Sequence, residues 1–260
     1  MLENIPLQGT ATEQLLSGKV AIVTGGTRGI GRAIARDLAC HGADVAINYR
    51  TSSDEAQEFI REVESLGRSG LALKADVASF KDAQRMVDDV VDELGGLHLL
   101  INNAGMNRDG VIWKMSEDQW DDVIAVDLKG TFNYIRAAAP IFKEQKGGKI
   151  VNVTSINGPR GKFGQSNYTA AKGGVIALTK TVARELGRYS VNVNAIAPGL
   201  IATDMVQAAP EKVREMALNE IILGRLGEPE EVAWVVTFLC SERARHITGE
   251  IITVDGGQYL

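Results

Sequence analysis

The sequence predicts a single α/β domain built on one doubly wound parallel sheet with helices on both faces. Three observations predict it. Short β-rich apolar runs alternate with helix-period segments from residue 18 to the end, and the joints between them are short and carry glycine. At 260 residues, with 28 glycines and 45% apolar residues, the chain suits one large domain with a packed core and many tight turns. No internal repeat, low-complexity tract or interdomain linker interrupts the alternation.

Residues 1–17 find no place in this alternation and are expected to form an extension, flexible or lying on the surface, so the domain is drawn at 18–260. Lys19–Thr24 is the buried first strand, bounded by Gly18 and Gly25-Gly26. Ile30, Ala33, Ile34 and Leu38 then recur with helical spacing until His41-Gly42 closes the helix. Strand Asp44–Tyr49, helix Asp54–Leu66, strand Leu71–Lys74 and helix Ser79–Leu94 follow, then strand Leu97–Ile101. One long helix is expected from Ser116 to about Phe142, leading to strand Ile150–Thr154. The helix bearing Tyr168 leads to strand Val191–Ile196 and a turn at Ala197-Pro198-Gly199. Residues 200–225 look like a helical excursion that closes over a substrate, and helix Pro229–Leu239 and strand Glu250–Val254 finish the chain. Ligands of open parallel sheets bind outside the carboxyl ends of the strands, so every strand end should face one crevice.

Composition narrows the function classes. A formal net charge of −5 gives no basic footprint for nucleic acid. No run approaches the eighteen or so apolar residues of a membrane span, and Met1–Pro6 lacks the basic start and apolar core of a secretory signal. Cys40 and Cys240, far apart in helical patterns, read as reduced thiols rather than a disulfide or metal site. A soluble cytoplasmic protein without a metal, nucleic-acid or membrane partner is expected.

Chemistry concentrates in two stretches. Tyr168 and Lys172 stand four positions apart at the start of a helix, so both side chains can point at one site. A free phenol is a poor base at neutral pH, and a fixed cation nearby favours its ionised form and brings it toward useful acid–base work. Ser155, at the end of a strand-like run, can bring a hydroxyl to the same place. The second stretch, Thr24-Gly25-Gly26-Thr27-Arg28-Gly29-Ile30-Gly31, joins the first strand to the first helix. Gly25 permits a sharp turn, Gly29 the approach of backbone to a pyrophosphate, and Gly31 close helix–strand contact at a helix N-terminus that favours anions. The spacing is Gly-x-x-x-Gly-x-Gly rather than the commoner Gly-x-Gly-x-x-Gly.

Six pieces in order now carry a resemblance: this glycine loop, Asp76, Asn102-Asn103-Ala104-Gly105, Ser155, Tyr168-x-x-x-Lys172 and Pro198-Gly199. Over its whole length after the extension, the chain resembles the short-chain dehydrogenase/reductase family, which implies a Rossmann-type sheet and a nicotinamide dinucleotide. By that resemblance Gly25, Thr27, Arg28, Gly29, Ile30 and Gly31 hold the cofactor, and Asp76 and Val77 sit at its adenine. Asn103, Ala104 and Gly105 line its central portion, while Pro198, Gly199, Ile201 and Thr203 flank the nicotinamide. Ser155 would hydrogen-bond a substrate carbonyl, Tyr168 would protonate it as hydride arrives, and Lys172 would tune Tyr168 and hold the cofactor ribose. The family usually carries Asn where this chain has Asp127; Asp keeps a side-chain oxygen, loses the amide donor and adds a charge. Asp127 is therefore a catalytic candidate as a water holder, or a support of its helix.

Cofactor choice rests on the end of the second strand. An acid there binds the ribose 2′-hydroxyl of NAD, whereas a nearby Arg accommodates the 2′-phosphate of NADP. Asn48-Tyr49-Arg50 has no carboxylate before Asp54, and Arg28 stands in the glycine loop, which favours NADPH/NADP+ over NADH. Within the family, Asn103–Asp109, Gly164–Tyr168, Pro198–Met205 and Ile247–Glu250 with Asp255-Gly256-Gly257 resemble 3-oxoacyl-acyl-carrier-protein reductases. That implies a homotetramer reducing β-ketoacyl thioesters on acyl carrier protein or CoA, in fatty acid biosynthesis. Arg136, Lys143, Lys146, Arg184 and Arg188 are candidate contacts for an acidic carrier, or simply solvated helix faces. The alternatives are a related dehydrogenase of acetoacetyl-CoA, glucose or another ketone or alcohol, and a dinucleotide-binding sensor without turnover.

Overall fold

The computed structural model describes residues 13–203, 206 and 218–260. Seven parallel strands form one sheet in the order β3-β2-β1-β4-β5-β6-β7. They are β1 (Val20–Val23), β2 (Asp44–Tyr49), β3 (Gly70–Lys74), β4 (Leu99–Asn102), β5 (Gly148–Val153), β6 (Val191–Pro198) and β7 (Ile251–Val254). The order reverses between β1 and β4, the switch point at which a crevice opens at the carboxyl ends.

The pleat sorts each strand between two cores. On β1, Ala21 and Val23 face the core beneath α1 (Gly29–Cys40), α2 (Ser53–Ser65) and a late helix, Pro229–Cys240. Val20 and Ile22 face the opposite core, beneath α3 (Phe80–Leu94), α5 (Gly130–Gln145) and α7 (Ser166–Leu186). Both faces are thus covered, and the strands read as unbroken apolar runs rather than alternating ones. Caps close several helices as their sequences suggest. Ser79 accepts the Asp82 N–H at the start of α3, and Ser116 and Gln119 form a capping box on α4 (Glu117–Val123). The late helix, α8, opens on Pro229 with a second capping box between Glu228 and Glu231.

Three local readings need correction. The long helix expected from Ser116 to Phe142 is α4, then a π-helical stretch at Ile124–Lys129, then α5. Gly130 N–H reaches back five residues to Ala125 O, and no side-chain period announces such a register. A short helix, α6 (Asn157–Arg160), intervenes between β5 and α7 and was not expected. The end of the supposed extension is also part of the fold. Leu16 is only 1% exposed in the core beside α1, and its N–H donates to His41 O. Residues 1–12, and half of the expected excursion over 200–225 (204, 205 and 207–217), lie outside the described residues. Cys40 and Cys240 are free, and burial pushes the Cys240 thiol up to about 12. Among the described residues no helix is long and apolar enough to cross a membrane.

Truncating Leu16 tests whether residues 13–17 belong to the cooperative fold. Leu16→Ala should cost about 2 kcal/mol or more in urea denaturation, as for a buried leucine. An unchanged midpoint would place this segment outside the core.

Candidate active site

The crevice at the carboxyl ends is a cavity of about 840 Å³. One wall is the turn from β1 into α1. Gly25 and Gly29 both adopt positive φ, and a Cβ on Gly31 would lie 2.2 Å from Gly25 O. Arg28, at the N-cap of α1, makes no side-chain capping bond and the first turn holds no acid, so the helix N–H groups are left for an anion. Side chains hold this turn in place. Thr24 Oγ1 accepts from Asn103 N (2.9 Å) and Ala104 N (3.0 Å), and Asn103 Nδ2 donates to Thr24 O and Gly25 O. Asn48 Oδ1 accepts the Gly25 N–H at 2.8 Å while its amide donates to Ala75 O. This backbone cradle and uncapped helix fit the pyrophosphate of an extended dinucleotide.

The floor beyond it brings the acid–base candidates together. Ser155 ends the β5 turn, 8% exposed, with Oγ accepting the Asn157 N–H at 3.1 Å. Tyr168 and Lys172 share one face of α7, with Lys172 Nζ 5.6 Å from the centre of the phenol ring. Lys172 is 4% exposed; its ammonium donates to Val153 O at 3.1 Å and lies 3.2 Å from Asp127 Oδ2. Asp127 is 0% exposed and accepts the Met106 N–H through Oδ1 at 2.8 Å. Burial pushes the Asp127 carboxyl up, against the pull of Lys172 and the Met106 N–H. Burial lowers Lys172, but Asp127 and then Tyr168 outweigh it and hold the ammonium above its ordinary range. The 3.2 Å contact is an ion pair without hydrogen-bond alignment, so Oδ2 has no aligned donor.

Nearly every residue picked out in the sequence lines this one crevice: the glycine-loop residues, Arg50, Asp76, Val77, Asn103, Ala104, Gly105, Asp127, Ser155, Tyr168, Lys172, Pro198, Gly199 and Thr203. Ile201 does not. Its side chain is buried, and its backbone bridges to Gly227. The Arg28 and Arg50 side chains are exposed and make no ion pair or hydrogen bond with described residues. Asp76 spends one carboxylate oxygen on the Ala78 N–H.

With this geometry in view, comparison places the chain. A family model described as Enoyl-(Acyl carrier protein) reductase matches residues 25–258. The chain belongs to the short-chain dehydrogenase/reductase family. Among its relatives in that family is a 3-oxoacyl-acyl-carrier-protein reductase FabG from Staphylococcus epidermidis, 45% identical over 242 residues, which are 93% of this chain and 99% of that protein. The FabG of Thermotoga maritima is 43% identical, covering 93% of this chain and 98% of that one. Nodulation protein G of Azospirillum brasilense is 41% identical over the same shares.

Several supporting residues escaped the sequence reading. Thr24, inside the glycine motif, and Asn48, at the end of β2, carry structural bonds that the motif does not announce. Asn167, wholly buried, pins the start of α7 by donating to Arg108 O (2.9 Å) and Gln119 O (2.8 Å), while its oxygen takes the Tyr168 N–H. The polar character of these residues at strand ends and at a helix start is the one signal that could have found them. Of the cations considered for a carrier, Lys143 and Arg188 flank the Tyr189 ring at 5.5 and 4.9 Å. Arg184 and Arg188 lie at the far end of the 21-residue α7, about 30 Å from its start.

Thr24→Val keeps the shape of the side chain and strands two N–H groups on the crevice wall. It should destabilise the protein by about 1–3 kcal/mol and weaken dinucleotide binding, measured by thermal denaturation with and without NADPH. Equal melting temperatures to the parent in both conditions would show that the hydroxyl is not the tie.

Proposed function

We propose that this protein reduces 3-oxoacyl thioesters to 3-hydroxyacyl thioesters with NADPH. The observation that carries the reading is the convergence of Ser155, Tyr168 and Lys172 on one crevice with the glycine loop. Relatives named as 3-oxoacyl-acyl-carrier-protein reductases, 43–45% identical along nearly their whole length, support the substrate class.

The residues divide the work as their contacts allow. Ser155 Oγ already accepts from Asn157, so its proton is free to bond the substrate carbonyl oxygen. Tyr168 gives its own proton to that oxygen as negative charge develops there. The Lys172 ammonium stabilises the phenolate left behind, and beyond Val153 O and Asp127 it would hold the cofactor ribose. When bound, the reduced nicotinamide supplies the hydride. Lys172 is fixed by Val153 and Asp127, so the acid–base pair is preorganised before substrate arrives.

The preference for NADPH rests on Arg28 and Arg50, two unpaired cations on the crevice, and on Asn48 being turned into the glycine loop. No carboxylate stands at the end of β2 to take a ribose hydroxyl. Self-association belongs to the same reading, as a homotetramer, because Trp234 and Phe238 leave apolar surface exposed on α8. Lys143, Arg184 and Arg188 gather at the end of α7 remote from Tyr168, so an acidic acyl carrier protein delivering its thioester to the crevice would dock on other residues.

A spectrophotometric panel tests the reading. NADPH and NADH are offered with acetoacetyl thioesters, crotonyl thioesters and simple ketones, and NADP+ with glucose. Oxidation of NADPH by acetoacetyl thioesters is expected. Crotonyl or glucose turnover in its place would replace the reading, and no turnover at all would favour a dinucleotide-binding sensor. Tyr168→Phe should bind NADPH almost as well as the parent and lose about 10²-fold or more in turnover; retained turnover would remove Tyr168 from the acid role. Changing both Arg28 and Arg50 to Ala should raise the KM for NADPH about tenfold or more and leave that for NADH nearly unchanged. Equal effects on the two cofactors would take the 2′-phosphate away from these cations.

A further inference from the structure

We propose that Asp127 is a positioning residue that offsets the Lys172 ammonium and keeps the Tyr168 phenol a proton donor into alkaline solution. This inference deepens the reductase reading and rests on it.

Three observations carry it. Asp127 lies in the π-helical stretch, wholly buried, with its side chain delivered to the crevice wall. Oδ1 accepts the Met106 N–H at 2.8 Å, and Oδ2 lies 3.2 Å from the Lys172 ammonium as an ion pair without hydrogen-bond alignment. A protonated carboxyl would need an acceptor, and its side chain makes no bond to one among the described residues. The ionised form is the one the surroundings fit. Lastly, the approach is built for this pair, because a Cβ on Gly105 would sit 3.0 Å from Asp127 Oδ2 and 3.2 Å from Lys172 Nζ.

The electrostatic consequence follows from the pairing. A lone ammonium beside the Tyr168 ring favours the phenolate. Paired with a carboxylate, the same ammonium presents a dipole, whose field at the phenol is weaker than that of a single charge. The phenol therefore holds its proton to higher pH, as a donor in carbonyl reduction requires. The titratable groups facing the carboxylate are Lys172 and, behind it, Tyr168, both from α7. The loop after β4 contributes only backbone, at Gly105 and Met106, and within its own helix the Asp127 carbonyl accepts from Thr131. An amide at this position would keep an oxygen for Met106 and leave Lys172 uncompensated.

The test compares the parent with Asp127→Asn. The alkaline limb of kcat/KM for NADPH-dependent reduction, where the acid form is lost, should move to lower pH by about one unit or more. Oxidation of the 3-hydroxyacyl thioester, which needs the base form, should gain at neutral pH. A second readout needs no substrate. The ultraviolet phenolate titration of each protein, minus that of its Tyr168→Phe counterpart, isolates this phenol and should show the same acid shift. That readout separates failure of this inference from failure of the substrate assignment. Asp127→Ser removes the charge while leaving an oxygen near Met106 N, and should shift the same way if the Asn variant does not fold. A phenolate midpoint that stays put or moves to higher pH in a folded variant overturns the proposal and leaves Asp127 a brace for its helix.

Discussion

The crevice depends on keeping one ammonium, that of Lys172, almost entirely out of water. Removing such an ion from solvent costs several kcal/mol unless close partners replace the water. Three parts of the chain supply them, Val153 O from the end of β5, Asp127 from the π-helical stretch and the Tyr168 ring one turn earlier on α7, while Gly105 leaves room by lacking a side chain. α6 closes on α7 at the same level, where a Cβ on Gly158 would meet the Lys172 carbonyl carbon at 3.1 Å. The position of the charge and the packing of these elements are therefore one problem with one solution.

The cofactor side of the crevice solves a different problem. Where β1 and β4 end at the switch point, their backbone groups lose the sheet partners that satisfied them. Thr24, Asn48 and Asn103 take over, each bonding backbone across the gap rather than facing solvent. The buried pair Asn102 and Asn152, joined at 2.8 Å and extended to Thr179, continues this polar seam between β4, β5 and α7. Buried amides of this kind are stable only when paired, so they fix the register of three elements as well as the shape of the wall.

The sheet was legible because a strand buried on both faces leaves a short apolar run that glycine bounds, and each run here falls on a strand within a residue or two. The glycine loop and the Tyr168–Lys172 spacing were legible because their geometry is local. Asn167 was not, since its worth lies in reaching Arg108 and Gln119, 59 and 48 positions away. The π register was hidden for another reason: Ile124–Lys129 has the side-chain pattern of an ordinary helix, and only the Gly130 to Ala125 bond betrays the extra residue. Leu16 escaped because one buried leucine ahead of β1 carries no period at all. Ile201 sits on a motif that points at the crevice, yet its side chain turns to the core against Gly227, which in turn has no Cβ to oppose it.

Asp127 shows how far a substitution can be read before its surroundings are known. In sequence it is one atom type away from the residue usual in the family, and it reads as a water holder or else as a support of its helix. Its burial narrows the choice, because a wholly buried carboxylate persists only where its charge is met. Lys172 meets it, and the dependence runs both ways: breaking a buried pair by removing one partner strands the other, which is typically more costly than replacing both. The carboxylate and the ammonium are thus held as a unit, and the potential felt by Tyr168 is set by that unit rather than by Lys172 alone.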